Sequence, residues 1–286
     1  MAVPRNGRPL VVGYGGLRRS SRRRMVMEQS AGLRVALVTG AGRRRVGNAI
    51  ATMLADHGYQ IALNYRTSTQ EAQQTVVRLK ERGLHARAFQ ADVAVEADVE
   101  RLFQQVLNAF GRLDVLVTAA ALWERKPLEA VTAEDVRRHF EVNVLGTFLC
   151  CRRGGSIMVG QPEGGAIVTL GDWAIERPYP DYAAYFPSKG AIPTLTRSFA
   201  VELALRNPAV RVNCVLPGPV MLPPDLSPDE RRRAIAGTLL RREGRPEHVA
   251  HAVIFLVEND YVTGVCLPVD GGRTVAGGEG GGVDGG

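Results

Sequence analysis

Three scarcities narrow what this chain can be. It has no apolar run approaching the ~20 residues that a membrane-crossing helix needs, so no membrane partner is expected. Its four cysteines, Cys150, Cys151, Cys214 and Cys266, fall in no metal-ligand spacing, and the adjacent Cys150 and Cys151 point to different sides of one helix. All four read as reduced core thiols of a cytoplasmic protein with no bound metal. Acidic residues are missing before Glu28, a stretch in which seven arginines account for the whole net charge of +7. The rest of the chain is balanced, so the charge describes a leader and gives no reason to expect a nucleic-acid partner.

What is present fits one large α/β domain over residues 32–275. The basic leader, 1–31, lacks a central apolar segment of signal-peptide length, although an Arg-rich, acid-poor composition is shared with organelle transit peptides. A translation start at Met25 or Met27 accounts for it most simply, ahead of a disordered basic arm and then a targeting segment. The Gly-rich tail, 276–286, has too little apolar content to fold. The five histidines fall in none of the motifs below and are assigned no chemistry.

The run from Arg34 to Thr39 is apolar enough for a central strand buried on both faces, and Gly40-Ala41-Gly42-Arg43-Arg44-Arg45-Val46-Gly47 follows at once. Glycines between a strand and a helix permit a tight turn and let backbone N–H groups approach a pyrophosphate at the helix N-terminus. The second strand, Gln60 to Asn64, leads into Tyr65-Arg66-Thr67-Ser68, with none of the acidic residues that accept hydrogen bonds from the NAD ribose. Arg66 and the two hydroxyls instead offer a cation and donors to the 2′-phosphate of NADP, although Arg66 also fits an ordinary solvated loop. Further strands near 86–90, 115–119, 166–170, 210–216 and 265–269 alternate with helical segments. The pattern predicts a Rossmann-like, doubly wound, mainly parallel seven-stranded sheet. Two local disruptions are expected: Gly154-Gly155 ending or weakening a helix early, and Pro187 and Pro193 kinking the helix that carries Lys189.

Reactive side chains concentrate between Thr169 and Lys189. Tyr185 and Lys189 stand four apart, which on a helix places both on one face, where an ammonium can lower a phenol pKa from about 10. Asp172 follows a predicted buried strand, thirteen residues before Tyr185, and Tyr182 lies one turn earlier on the Tyr185 face. A Tyr and a Lys at this spacing also occur on many helices as a solvated pair. Their significance here comes from the distant Gly-rich turn, with which they describe a nucleotide site and an acid-base site.

In these motifs the chain resembles the short-chain dehydrogenase/reductase family over roughly Leu33 to Thr274. The resemblance rests on the Gly-rich turn, Asp92-Val93, Asn143 within Val142-Asn143-Val144-Leu145-Gly146, Tyr185-x-x-x-Lys189 and Pro217-Gly218-Pro219-Val220. Asp172, where most members carry Ser, and Tyr182 ahead of Tyr185 make it most similar to the pteridine reductase branch. The resemblance implies NADP(H) contacts at Gly40, Arg44, Arg45, Val46, Gly47, Tyr65, Arg66, Thr67, Ser68, Asp92, Val93, Thr118, Ala119, Ala120, Pro217, Gly218 and Val220, together with Tyr185 and Lys189. Which of Arg43 to Arg45 meets the phosphates is left open by one extra residue in the turn. Thr118-Ala119-Ala120-Ala121 replaces the usual Asn-Asn-Ala-Gly, so the backbone can approach the cofactor but amides that support the sheet are lost.

The same resemblance implies that Asn143 orders a water connecting Lys189 to solvent, and that Trp123 and the nicotinamide form a slot for a flat pterin. Trp173, Asp172, Tyr182 and Tyr185 complete the substrate lining, under a mobile lid at 221–245. The expected activity is NADPH-dependent reduction of a C=N or C=O bond in a small molecule, a dihydropteridine first. A 3-oxoacyl or other carbonyl reductase is the alternative, and a non-catalytic nucleotide-binding regulatory protein the third. Asp172 acts either as a neutral acid or as an anion holding Tyr185 and a substrate amino group. The resemblance also implies a homotetramer built partly on the Asn143 and Lys189 helices.

Overall fold

The computed structural model describes residues 32–224 and 226–276, so the leader and residues 277–286 of the predicted tail lie outside the described residues. Seven runs of aliphatic and β-branched residues form strands: β1 (Val35–Thr39), β2 (Gln60–Tyr65), β3 (Ala86–Gln90), β4 (Val115–Thr118), β5 (Gly165–Leu170), β6 (Val210–Pro217) and β7 (Cys266–Val269). They pair in the order β3-β2-β1-β4-β5-β6-β7, and every pairing is parallel. The chain winds one way from β1 to β3 and the other way from β4 onward. The carboxyl ends of β1 and β4 therefore border a crevice, the position where open parallel sheets bind ligands.

All five residues of β1 and all four of β4 are buried, as expected of central strands covered on both faces. Alternation sorts them between two cores. Ala36 and Val38 face a layer with Ile50 and Leu54 of helix α1 (Val46–Asp56) and Val253 of helix α8 (Pro246–Glu258). Val35 and Leu37 face the other, with Leu102 and Phe103 of helix α3 (Glu96–Phe110). Helix α2 (Thr69–Glu81) joins β2 to β3. Helix α4 (Ala133–His139) starts at a capping box between Thr132 and Asp135, then widens into a π-helical turn, Phe140–Leu145, before helix α5 (Gly146–Val159).

The expected break at Gly154-Gly155 is absent, and helix α5 passes through both. A Cβ on Gly154 would sit 2.8 Å from Leu116 Cδ2, and one on Gly155 would sit 2.5 Å from Leu203 Cδ1. The missing side chains let α5 approach the sheet and helix α6 (Tyr185–Ala204), and that packing offsets the ~1 kcal/mol propensity cost of each glycine. Pro187 lies in the first turn of α6, where its missing N–H has no intrahelical acceptor. Pro193 is inside the helix and buried, and α6 continues to Ala204 beyond it.

At the far end of the sheet the 9 % exposed Arg211 donates to the carbonyls of Leu256 at 2.7 Å, Val257 at 2.7 Å and Val262 at 3.0 Å. This guanidinium closes the C-terminus of α8 onto β6. Arg211→Met keeps the stem and strands three carbonyls. Denaturant unfolding is expected to show a loss of about 3 kcal/mol, and an unchanged midpoint would show that water satisfies those carbonyls equally well.

Candidate active site

Every motif singled out by the sequence collects at the carboxyl end of the sheet. Gly40 adopts φ 63°, and a Cβ there would lie 2.5 Å from Ala120 Cα, so only glycine permits this approach of the β1 and β4 ends. Two polar residues that carried no sequence assignment hold the turn. Thr39 Oγ1 accepts from the N–H groups of Ala119 at 3.1 Å and Ala120 at 3.2 Å. Asn64 Oδ1 accepts from the Gly40 N–H at 3.2 Å, while its Nδ2 donates to the carbonyls of Phe89 at 3.3 Å and Ala91 at 3.1 Å. Together they tie the ends of β1, β2, β3 and β4, supporting the sheet where the alanines supply no amide side chain. The only available signal was a polar residue at the end of an otherwise apolar strand.

The residues here fit a nicotinamide dinucleotide. Arg43, Arg44 and Arg45 are exposed, with Val46 opening α1 directly behind them and Gly47 packed at its base. Thr118 Oγ1 is buried at the crevice with no hydrogen-bond partner among the described residues. After β2, Arg66 extends into solvent with its Nη1 3.5 Å from Asp92 Oδ2, on the rim beside Thr67 and Ser68. Tyr65 is buried and packs against Gly42, and Val93 packs against Gly146. Across the crevice, Pro217 ends β6, Gly218 donates to Val269 O at 2.9 Å, and Val220 is buried against Gly244.

The reactive groups lie where β5 ends and α6 begins. The Tyr185 hydroxyl donates to Asp172 Oδ2 at 2.8 Å, and Asp172 Oδ1 accepts from the Ala174 N–H at 2.9 Å. Lys189 Nζ donates to the Leu170 carbonyl at 2.8 Å. Asn143 sits in the π-helical turn and clamps the Leu122 peptide, accepting from its N–H at 2.7 Å and donating to its carbonyl at 2.9 Å. Its Nδ2 also donates to Ser188 Oγ at 2.9 Å, and Ser188 in turn donates to Tyr185 O at 2.6 Å. The amide thus joins the loop after β4 to the backbone of the tyrosine.

These contacts correct the expected electrostatics. The phenol was expected to be acidified by its neighbouring ammonium. Instead, burial first, and then the Asp172 charge and the hydrogen bond to it, push the Tyr185 pKa well above its ordinary value. Burial pushes Lys189 down, with Asp172 opposing. It pushes Asp172 up, against the Ala174 N–H, the Tyr185 hydroxyl and Lys189. Desolvation outweighs the pairings at Asp172 and is reinforced by Asp172 at Tyr185, so the neutral phenol and neutral carboxyl are both favoured over their ordinary balance.

An aromatic cluster of Trp173, Tyr182, Tyr185 and Phe186, with Trp123 packed against it, surrounds the pair. Trp123 stacks on Tyr182 with centroids 5.0 Å apart and planes at 20°, so one face of the Trp123 ring is covered by a residue of this chain. Three neighbours were missed. Tyr179 meets Tyr182 edge-on at 5.1 Å, the Arg273 guanidinium lies 5.2 Å over the Trp173 ring, and buried His139 meets the Tyr185 ring at 6.2 Å. His139 Nδ1 lies 2.7 Å from Asp135 O, which makes it the protonated nitrogen. Beside the cluster a cleft of about 750 Å3 is bordered by Leu128, Ile175, Tyr179 and Phe186.

In the predicted lid segment, helix α7 (Pro228–Ala236) begins at a Ser227–Glu230 capping box. Arg125 lies 3.4 Å from Glu230 and 3.0 Å from Asp181, linking that helix to the loop before Tyr185. Arg177 donates to the carbonyls of Arg273 and Ala276, and Asp270 Oδ2 accepts from the Thr274 N–H at 2.7 Å. These bonds join the chain from Asp270 to Ala276 to the loop at Arg177.

A carboxyl with a raised folded-state pKa holds its proton more tightly in the fold. Its contribution to stability is complete below the ordinary carboxylate range and is lost as pH rises through the raised value. Asp172→Asn, neutral throughout and still able to accept from Tyr185, should therefore melt with wild type in acid and above it at neutral pH. A gap of equal size at every pH would contradict this.

Comparison with known proteins agrees with the geometry. The family model described as Enoyl-(Acyl carrier protein) reductase matches residues 40–274. The chain is 36% identical over 248 residues to an uncharacterized oxidoreductase, YgfF, of Escherichia coli K12, covering 84% of this chain and 99% of that one. It is 33% identical over 241 residues to the 3-oxoacyl-acyl-carrier-protein reductase FabG of Staphylococcus aureus, covering 83% and 96%. Acetoin dehydrogenase from Enterobacter cloacae superposes with a TM-score of 0.77 at 32% identity, covering 86% of this chain and 98% of that one. With its parallel sheet, glycine cradle and Tyr-Lys helix, the chain belongs to the short-chain dehydrogenase/reductase family of nicotinamide-dependent oxidoreductases.

Proposed function

We propose that this oxidoreductase uses NADPH to reduce a C=N or C=O bond in a small molecule, with a dihydropteridine as the first candidate. NADPH, when bound, supplies the hydride. The remaining chemistry belongs to Tyr185. The carrying observation is its 2.8 Å hydrogen bond to Asp172 in an apolar, aromatic surrounding, which keeps the phenol protonated and suits it to donate a proton to a substrate nitrogen or oxygen.

Asp172 supports the pterin reading in particular. As a carboxylate it would hold the amino edge of a pterin, and as a neutral acid it would replace the proton that Tyr185 donates. Trp123, backed by Tyr182, offers a flat surface for stacking, worth about 0.5–1.5 kcal/mol beyond burial. Lys189 is held beside the phenol's helix face by the Leu170 carbonyl, and Asn143 maintains the proton path by holding Leu122 and Ser188 in place. The segment 221–245 closes over the substrate. Preference for NADP rests on Arg66, Thr67 and Ser68 at the end of a strand without an acidic residue.

A 3-oxoacyl or other carbonyl substrate is the second reading. The names of relatives such as FabG favour it, and so does a phenol that donates equally well to oxygen. A cytoplasmic homotetramer through α5 and α6 belongs to the same proposal. Supporting it, Phe148, Val201 and Leu205 on or beside these helices are 41%, 61% and 82% exposed, and apolar surface of this kind suits a subunit contact.

The test follows NADPH and NADH absorbance side by side with dihydrobiopterin, dihydrofolate and an acetoacetyl thioester. Turnover with a dihydropterin and NADPH is expected, falling at least about 100-fold in Tyr185→Phe. It should fall again in Asp172→Ser. Thioester turnover that improves in Asp172→Ser would favour the carbonyl reading, and equal use of NADH would remove the NADP assignment.

A further inference from the structure

Cys214 on β6 and Cys266 on β7 have no part in the site described above. Their strands run parallel, with the two cysteines as direct Cα partners, so both side chains leave the same face of the sheet. Both pack with Ile175, Ile192 and Leu216 in one apolar cluster, and the Cys214 thiol donates to the Val215 carbonyl at 3.5 Å. Adjacent strands lie ~4.8 Å apart, within the ~4.4–6.8 Å Cα separation that a disulfide accepts.

The two sulfurs are unequal. Cys214 is fully buried, whereas Cys266 is partly exposed at the sheet edge. The neighbouring Cys214 sulfur and the nearby Arg197 cation lower the Cys266 thiol below its ordinary value, while Cys214, buried beside it, is held well above. A partly exposed thiolate beside a buried thiol is the arrangement of an attacking and a resolving cysteine. Cys150 and Cys151 offer no such pair. They are neighbours within α5, buried in the core, and burial pushes the Cys150 thiol up to about 12.

We propose that Cys266 and Cys214 form an oxidisable dithiol whose substrate is a small hydroperoxide. The Cys266 thiolate attacks one peroxide oxygen and the O–O bond breaks, leaving a sulfenic acid and, with hydrogen peroxide, one water. The Cys214 sulfur then attacks the sulfenic sulfur, and the S–O bond breaks. The departing hydroxide takes the Cys214 proton as a second water. Two thiols and one hydrogen peroxide become one disulfide and two waters.

The bond would form directly behind the reaction centre. Cys214 Sγ lies 3.3 Å from the position of the Cβ that Gly171 lacks, and Gly171 separates Asp172 from Leu170, whose carbonyl receives Lys189. Drawing that sulfur toward β7 removes support from the Leu170–Asp172 segment, so the oxidised protein should bind NADPH more weakly.

The full chain is treated with hydrogen peroxide, digested without reduction and mapped by mass spectrometry, with NADPH affinity read by fluorescence. The expected result is a peptide linking Cys214 to Cys266, reversed by dithiothreitol, with free Cys150 and Cys151 and weaker NADPH binding. Cys266→Ser and Cys266→Ala should form no link and keep the NADPH affinity of the reduced wild type. Over-oxidised Cys266 without a linked peptide, or reaction first at Cys150 or Cys151, would overturn the dithiol. A complete link with unchanged NADPH affinity would overturn its coupling to the site. The covalent readout needs no cofactor, so it stands or falls separately from the proposed reductase activity.

Discussion

The Tyr185 hydroxyl ends on the Asp172 carboxyl, and the chemistry of this protein turns on what that dry hydrogen bond permits. Three ionisable groups, Asp172, Tyr185 and Lys189, meet within one turn of helix and one strand end, the last two buried and Asp172 half-buried. Burying a charge is costly unless partners compensate. Here each group is pushed toward its neutral form; partners moderate the push on Asp172 and Lys189, and Asp172 reinforces it on Tyr185. A phenol held protonated is a proton donor in waiting, which suits a reductase more directly than a phenol ionised in advance.

The rest of the fold serves to bring that bond to the mouth of a nucleotide crevice. Parallel strands end together, so Thr39 in β1, Thr118 in β4 and Thr169 in β5 arrive at the same level, just before Gly40 and Leu170. Small residues let the segments close. Gly40 rests on Ala120, and Gly154 and Gly155 bring α5 against the sheet and α6. The Asn143 amide then registers the loop after β4 against the backbone of Tyr185 through Ser188. A relaxed turn in any of these places would move the phenol relative to the crevice.

Much of this was legible in the amino-acid order, because some constraints act over short spans. The strand–glycine–helix passage at Thr39 to Gly47, the absence of an acid after β2 and the Tyr185–Lys189 spacing each report a local geometry. The contact of Asp172 with Tyr185 was one of the roles expected of that carboxyl. That Lys189 turns to Leu170 depends on how a strand end meets the helix, and spacing alone pointed it at the phenol. Glycine propensity suggested a broken α5, since the gain from close packing against Leu116 and Leu203 comes from residues far along the chain. Thr39, Asn64, Tyr179, His139 and Arg273 belong to no short motif and were found only through their contacts.

The account therefore stands on the protonation state of one phenol. Tyrosine labelled with carbon-13 at the ring carbon bearing oxygen, assigned through Tyr185→Phe, reports ionisation of Tyr185 by NMR as pH is raised. In the free protein Tyr185 should ionise above the ordinary phenol value, and the transition should move down in Asp172→Asn, which removes the neighbouring negative charge. Ionisation of wild-type Tyr185 below the ordinary value, unaffected by Asp172→Asn, would contradict the account and return the control of the phenol to Lys189.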